Sequence, residues 1–223
     1  MRDRESNTEP TTTSYALLGL LALRPWSAYE LAGQMQRAIH LCWPKSERLA
    51  YAEPKRLVAM GLARQRSELV GQRRRTVYEI TPAGRRALRA WLATTPAPPQ
   101  LEFETMLRLI HADQGTTDDL LRALDSLAEH AERLYRAGYL QVKDYLDRGG
   151  PFPERLHIAA LFADFYADYL ALLRRWAASA AAEVRRWPST KDLGMTAGTR
   201  RRLEGILARA EGISDPAEAQ DAG

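Results

Sequence analysis

The sequence predicts a mainly helical protein: an N-terminal winged helix-turn-helix of three helices, a two-stranded wing and a following helix, joined to an all-α dimerisation domain. Three observations predict it. A short helical pattern over residues 46–60 is followed at once by two strand-like runs, 62–70 and 76–80. The turn between these runs contains three consecutive arginines. From residue 101 onward the apolar residues recur at helical spacing almost throughout.

Composition limits the architecture more than the function. Of the 223 residues 45% are hydrophobic and 27% charged, as in ordinary globular proteins of one or two domains. A single cysteine excludes an intramolecular disulfide framework. Residues 1–10 lack the apolar segment of a signal peptide, and the longest uninterrupted apolar run, 15–23, is shorter than a membrane span. We therefore expect a cytoplasmic protein.

Charge is distributed unevenly along the chain. Residues 1–95 carry 16 basic and 8 acidic side chains, whereas residues 96–223 carry 16 and 20. The first half therefore has a net charge of +8 and the second half −4. A basic N-terminal half indicates that this part of the chain meets a polyanion.

The first two helices have recognisable N-terminal caps. Residues 1–12 are expected to be flexible, and a threonine among residues 11–13 caps a helix over 14–23. That helix has almost no polar face, so it must be buried. Ser27 and Glu30 have the spacing of a capping box for the second helix.

The third helix, 46–60, presents basic and hydrogen-bonding side chains at its exposed positions. Arginine can bond a guanine edge in a major groove, and lysine or serine can hold phosphates. The same pattern is also typical of a solvated helix face. The residues that we assign to DNA contact are Lys45, Ser46, Arg48, Tyr51, Lys55 and Arg56.

Pro54 interrupts this third helix. In a regular helix it removes the hydrogen bond to the Ala50 carbonyl and crowds the preceding turn, which costs about 3 kcal/mol. The sequence therefore predicts either a kink near residues 50–53 or a break, after which a new helix begins with Pro54 in its first turn.

The two strand-like runs, joined by a turn over residues 71–75, predict a hairpin. A two-stranded hairpin is not stable alone, so it must pack on the helices. Beside a basic helix, we expect the arginines of this turn to bind phosphate, the alternative being a solvated loop. These arginines are Arg73, Arg74 and Arg75.

A proline-rich connection over residues 95–100 marks the domain boundary. It separates a winged helix-turn-helix domain over 13–95 from an all-helical domain over 101–210. The tail, 211–223, is expected to be disordered.

Two long helices dominate the second domain. Apolar residues recur at alternating spacings of four and three along 120–145, and at helical spacing along 153–187, with the Gly-Gly-Pro break of 149–151 between them. Helices of about 30 residues span roughly 45 Å, too long to be buried within a half-domain. They form either an antiparallel hairpin with two exposed faces or the contact with a second subunit, and we expect a homodimer.

The sequence lacks the motifs of an enzyme, a metal site or a nucleotide-binding loop. The four histidines have no partner at metal-ligand spacing, and neither a glycine-rich phosphate loop nor a nucleophile elbow occurs. We expect no catalytic activity, no cofactor and no metal. Aromatic residues at helical spacing could line an apolar effector pocket, although such residues are also typical of a core. They are Trp91, Phe162, Phe165, Tyr169 and Trp176.

Several segments in order along residues 13–95 carry a family resemblance. They are Tyr15-Ala-Leu-Leu-Gly-Leu-Leu, Ser27-Ala-Tyr-Glu-Leu, Trp43-Pro, the third helix with Tyr51 and Lys55-Arg56-Leu57, and Val77-Tyr-Glu-Ile-Thr-Pro-Ala-Gly. As a set they resemble the PadR family of bacterial transcriptional regulators. The helical remainder is similar to the longer C-terminal dimerisation domain of one branch of that family.

The resemblance implies a winged helix-turn-helix dimer that binds a palindromic operator and represses its own gene or a neighbouring one, with release by a small aromatic molecule. The family's DNA-contacting positions carry over to residues in the recognition helix and in the wing, 73–75. Pro54 departs from the leucine expected at its position. The helix positions are Ser46, Arg48, Tyr51 and Lys55.

Two functions therefore follow from the sequence. The first is a sequence-specific DNA-binding regulator, as the basic helix and wing predict. The alternative is a protein-interaction module on a winged-helix scaffold that no longer reads DNA. A binder of apolar ligands, or an enzyme, would need a site built from residues that are distant in sequence and come together only in the folded chain.

Overall fold

The computed structural model describes residues 9–39, 41–43, 51–71 and 73–211. The chain divides into two compact units, Met1–Pro99 and Gln100–Gly223. The first unit contains α1 (Thr12–Leu23), β1 (Trp26–Ser27), α2 (Ala28–Gln34), α3 (Glu53–Ala59), β2 (Ala63–Val70), β3 (Arg73–Ile80) and α4 (Pro82–Leu92). The second unit contains α5 (Glu104–Ile110), α6 (Thr117–Arg148), α7 (Leu156–Val184) and α8 (Ala197–Glu211).

Helix α1 is the centre of the first unit, and it contacts α2, α3, α4 and β3. Thr11 caps it, since the Thr11 hydroxyl accepts from the Ser14 N–H and the Ser14 hydroxyl accepts from the Thr11 N–H. Leu17 and Leu18 are completely buried. The expectation of a buried apolar helix is confirmed, because an apolar surface on all sides is stable only when neighbours cover it.

Helix α2 begins at the predicted capping box, in which Glu30 accepts from the Ser27 N–H and Ser27 from the Glu30 N–H. After Gln34 the backbone continues as a π-helical turn, Met35–Ile39. Leu31 and Met35 face the core and are buried.

The wing belongs to a three-stranded antiparallel sheet of order β1-β3-β2. The prediction of a two-stranded wing missed β1, whose two residues pair with Tyr78 and Val77 and are too few to show a periodic pattern. The predicted turn was also too long, because β3 begins at Arg73 and not at Thr76. Gly71, with φ +61°, allows the chain to reverse directly after β2.

The recognition-helix region breaks at Pro54, the second of the two predicted outcomes. Tyr51 and Ala52 form a turn, and α3 begins at Glu53 with Pro54 in its first turn. A proline is tolerated there because the first N–H groups of a helix have no intrahelical partner. Residues 44–50, including the predicted start of this helix, lie outside the described residues.

Helix α4 packs on the beginning of β2 through a glycine. Thr81 caps α4 by accepting from the Gly84 N–H, and its hydroxyl donates to the Gly61 carbonyl. A Cβ atom on Gly84 would lie 2.1 Å from the Leu62 carbonyl oxygen, so no larger residue fits without displacing the backbone.

Helices α6 and α7 form an antiparallel hairpin in the second unit. Arg174 contacts Glu132 at 2.8 Å and Arg185 contacts Asp125 at 3.6 Å, so the later residue of α7 pairs with the earlier residue of α6. Gly149, with φ +78°, ends α6 as the predicted break requires.

The core of this hairpin lies at the end away from Gly149. It consists of Leu120, Leu124, Ala180, Ala181 and Val184, with Trp176 and Trp187 packed against it. The apolar residues that recur at helical spacing along 120–145 are therefore buried only in part.

Towards Gly149 the apolar side chains of the hairpin are exposed. We call five of these residues the apolar end of the hairpin; their exposed fractions lie between 63% and 83%. They are Tyr139, Leu140 and Leu146 of α6 with Leu161 and Phe165 of α7.

Within the described residues, the stretch Pro153–Val184 is long and apolar enough to cross a membrane by length and composition alone. This stretch contains no long uninterrupted apolar run, because charged residues such as Asp164 and Arg174 interrupt it. Only 6% of its most apolar window is buried within this chain.

Candidate nucleic-acid interface

Two predicted contact residues lie at the start of α3 and are open to solvent. Tyr51, in the turn before the helix, is 59% exposed, and Lys55 in the first helical turn is also exposed. Lys45, Ser46 and Arg48 lie outside the described residues.

A buried hydrogen bond fixes the start of α3 to α1. The Ser14 hydroxyl donates to the Glu53 carboxylate, and the two residues are 0% and 4% exposed. One residue earlier in α1, the Thr13 hydroxyl accepts from the Trp43 indole N–H at 3.0 Å. The first turn of α1 therefore holds the chain on both sides of the segment 44–50.

Arg56 contributes to the same anchor. Its guanidinium donates to the Glu9 carbonyl and lies 3.4 Å from a Glu53 carboxylate oxygen. The side chain is only 19% exposed. This predicted contact residue thus packs inward, and it balances the charge of a nearly buried carboxylate.

The strand register gives the wing two different faces, because side chains alternate along a strand. We call them the ladder face and the open face. The ladder face contains Arg64, Arg66 and Glu68 of β2 with Arg75, Val77 and Glu79 of β3. The open face contains Gln65, Ser67 and Leu69 of β2 with Arg74 and Thr76 of β3.

On the ladder face, the three arginines whose side chains the structure describes, Arg64, Arg66 and Arg75, are each paired with a carboxylate. Glu79 binds Arg64 at 2.7 Å and also binds Arg66. Glu68 binds Arg66 and lies 3.1 Å from Arg75. The hydrogen bonds from Arg66 and Arg64 lower the pKa of Glu79 from its ordinary value, so this carboxylate stays ionised at neutral pH.

The ladder continues into α2. Arg75 also lies 3.8 Å from the Glu30 carboxylate. Arg24 lies 3.5 Å from the same carboxylate, and its guanidinium stacks over the Trp26 ring, 3.5 Å from the ring centroid. The Ser27 backbone N–H and hydroxyl lower the pKa of Glu30 most, with Arg24 and Arg75 adding to the effect. Arg75 therefore joins the wing to the capped end of α2.

On the open face, Arg74 is exposed and has no hydrogen bond or ion pair with any residue that the structure describes. Of Arg73, the structure describes only its place in β3, opposite Val70. The three arginines of the wing are thus not equivalent.

The aromatic residues predicted to line a pocket fall in different units. Trp91 of α4 stacks on Tyr15 of α1, with ring centroids 4.9 Å apart. On α7, Phe165 stacks on Tyr169 at 6.3 Å. Trp176 packs against the buried core of the hairpin.

The sequence analysis missed the ladder. Its members lie opposite one another in the register, as Arg64 does to Glu79 and Glu68 to Arg75. Opposite charges at paired positions are the signal, since cross-strand neighbours approach to about 5 Å. A turn assigned three residues too long concealed these pairs.

A buried helix, a turn leading to a second exposed helix, and a hairpin wing define the first unit as a winged helix-turn-helix domain. Residues 17–90 match the model of the transcriptional regulator PadR-like family. The first unit therefore carries a PadR-like domain.

Solved structures share the fold. Smu.1604c from Streptococcus mutans UA159 is 16% identical with a TM-score of 0.67, covering 76% of this chain and 98% of that one. Bacillus subtilis PadR in complex with operator DNA is 18% identical with a TM-score of 0.66, covering 78% and 99%. The PadR-like regulator BC1756 from Bacillus cereus is 17% identical with a TM-score of 0.66, covering 80% and 99%. At these identities the likeness is one of fold. No curated protein matches the chain.

We predict that Ser14→Ala lowers the free energy of unfolding by about 1–3 kcal/mol, because the buried Glu53 carboxylate loses a donor. Urea unfolding followed by circular dichroism measures it. Thr12→Ala removes an exposed hydroxyl from the same helical turn and should change the free energy by less than about 0.5 kcal/mol. Equal effects of the two substitutions would contradict the anchoring role of Ser14.

Proposed function

We propose that this PadR-like transcriptional regulator binds a specific DNA sequence as a dimer and represses its own or a neighbouring gene. The observation that carries the proposal is the anchored start of α3, which presents Tyr51 and Lys55 to solvent in the same domain as an arginine-bearing wing. Bacillus subtilis PadR, which has the same fold, is known in complex with operator DNA. The family is one of regulators and not of enzymes, so we propose no catalytic role.

The proposal divides the contact residues by task. Tyr51, with Arg48 and Ser46 preceding it, reads base edges, and Lys55 and Lys45 hold phosphates. The wing adds phosphate contacts. Arg56 does not contact DNA itself but holds α3 in position, since its guanidinium donates to the Glu9 carbonyl and pairs with the Glu53 carboxylate.

We predict a salt-sensitive preference for the DNA upstream of the protein's own gene over a random duplex of equal length. Log affinity should fall with log salt by about 0.9 per phosphate contact. Tyr51→Ala should weaken binding to the upstream DNA by about 1–3 kcal/mol and to the random duplex much less. Fluorescence anisotropy at several salt concentrations measures both.

A wild-type protein with no preference for the upstream DNA at any salt concentration would contradict the proposal. If it instead formed a stable complex with another protein, the alternative of an interaction module would be favoured.

Transcription from the bound promoter should fall as the protein is added. A rise would indicate an activator, as Vibrio cholerae AphA, of similar fold, is described to be.

The dimer proposal rests on the apolar end of the hairpin. Leu146 of α6 and Leu161 of α7 are 83% and 75% exposed, beside the exposed Phe165. A group of large exposed apolar side chains on a globular protein indicates an interaction site. We propose that a second copy covers these side chains, which explains the apolar composition of α7. A two-fold dimer in turn implies a palindromic operator with two half-sites.

We predict that the wild-type chain is a dimer at micromolar concentration and that Leu146→Glu combined with Leu161→Glu weakens dimerisation at least about 100-fold. Burying each leucine contributes roughly 1.5–3 kcal/mol, and every 1.4 kcal/mol is about tenfold in affinity. Sedimentation velocity measures the change. Leu69→Glu, at a wing position that is 71% exposed, is the matched control and should leave the dimer intact. A monomeric wild type, or an unaffected double variant, would sink this proposal.

We further propose that a small aromatic molecule releases the DNA. Bacillus subtilis PadR is also known in complex with p-coumaric acid. In this chain four aromatic side chains of α7 form a contacting series along one stripe of the helix: Phe162 contacts Tyr166, Tyr166 contacts Tyr169, and Tyr169 contacts Phe165. Adding p-coumaric acid and related aromatic acids to the operator complex should raise its dissociation constant severalfold. The absence of any shift with a panel of such compounds would count against an aromatic effector.

A further inference from the structure

We propose that the open face of the wing binds the DNA backbone and that the ladder face does not. Arg74 is then the phosphate-binding cation, and Ser67 and Thr76 are the neutral hydrogen-bond donors beside it. This inference rests on the proposed DNA-binding function and assigns a surface within it.

The described arginines of the ladder face already have carboxylate partners within the chain. Four arginines, including Arg24 at its edge, share three carboxylates in a continuous series of ion pairs. A phosphate approaching Arg75 would meet the Glu68 and Glu30 carboxylates at the same guanidinium. It would have to displace both carboxylates and then lie beside their negative charges. The lost ion pairs and this repulsion offset the free energy that the new phosphate contact contributes.

The open face has the opposite character. None of its five residues is acidic, and Gln65, Ser67, Leu69, Arg74 and Thr76 are all exposed. Arg74 has no carboxylate partner among the described residues. Serine, threonine and glutamine side chains are common donors to phosphate oxygens. A phosphate on this face therefore meets one unpaired cation and several neutral donors.

Arg74 and Arg75 form a natural matched pair for the experiment. They are adjacent in sequence and lie on opposite faces of β3, so Arg74→Gln and Arg75→Gln change the net charge equally. Binding of each full-length variant to a random duplex is measured by fluorescence anisotropy across a range of salt concentrations. Arg74→Gln should lower the affinity severalfold and reduce the slope of log affinity against log salt by about 0.9. Arg75→Gln should leave that slope unchanged.

A second variant covers the case in which Arg75→Gln loosens the wing. Glu68→Gln keeps every arginine and removes the negative charge that pairs with both Arg75 and Arg66. If the ladder face lies away from DNA, the salt slope of Glu68→Gln equals that of the wild type. A steeper slope for Glu68→Gln, or a slope reduced as much by Arg75→Gln as by Arg74→Gln, overturns the assignment.

The failure of this inference differs from that of the proposed function. If the wild-type protein shows no salt-sensitive DNA binding, the proposed function fails. If the wild type binds and Arg75 matters as much as Arg74, the proposed function survives and only the assignment of the face fails.

Discussion

The pairing register of β2 and β3 is the constraint on which the properties of the wing depend. Val70 lies opposite Arg73, so Glu68 lies opposite Arg75 and both share one face. Because side chains alternate with a period of two, displacing the register by any odd number of residues would exchange the two faces of one strand. A turn over residues 71–75 would place Thr76 opposite Val70, three residues away from the observed pairing. The observed register instead places Arg74 and Arg75 on opposite faces, where Arg75 is paired with carboxylates and Arg74 has no carboxylate partner among the described residues.

The anchor between α1 and α3 solves a second problem, which the break at Pro54 creates. A helix of seven residues contributes little stability of its own, so its orientation must come from tertiary contacts. Glu53 supplies such a contact, but a nearly buried carboxylate is costly unless hydrogen bonds and a cation compensate it. Ser14 and Arg56 provide both. The direction of α3 is therefore tied to the most deeply buried helix of the domain.

Features with local causes could be read from the sequence, and features with long-range causes could not. The capping box at Ser27 and the helix end at Gly149 follow from neighbouring residues, and both are present. Pro54 predicted an interruption, although only the structure distinguishes a break from a kink. The two residues of β1 pair with residues 50 and 52 positions away, Arg56 reaches the Glu9 carbonyl across 47 positions, and the charge ladder depends on the register of two strands. No pattern within one segment reveals them without the correct register.

The α6–α7 hairpin shows that a series of apolar residues at helical spacing predicts packing against another helix but does not identify that helix. Apolar residues recur at helical spacing along both helices, yet Leu124 and Val184 are buried within the chain while Val142 and Leu161 are exposed. The buried end, together with the ion pairs between the helices, holds α6 and α7 in one register before any second copy binds. In the proposed dimer the exposed end is then presented in a preformed arrangement, and less conformational entropy is lost on association. Division of one such series between folding and assembly explains how a chain of this size can maintain helices of 32 and 29 residues.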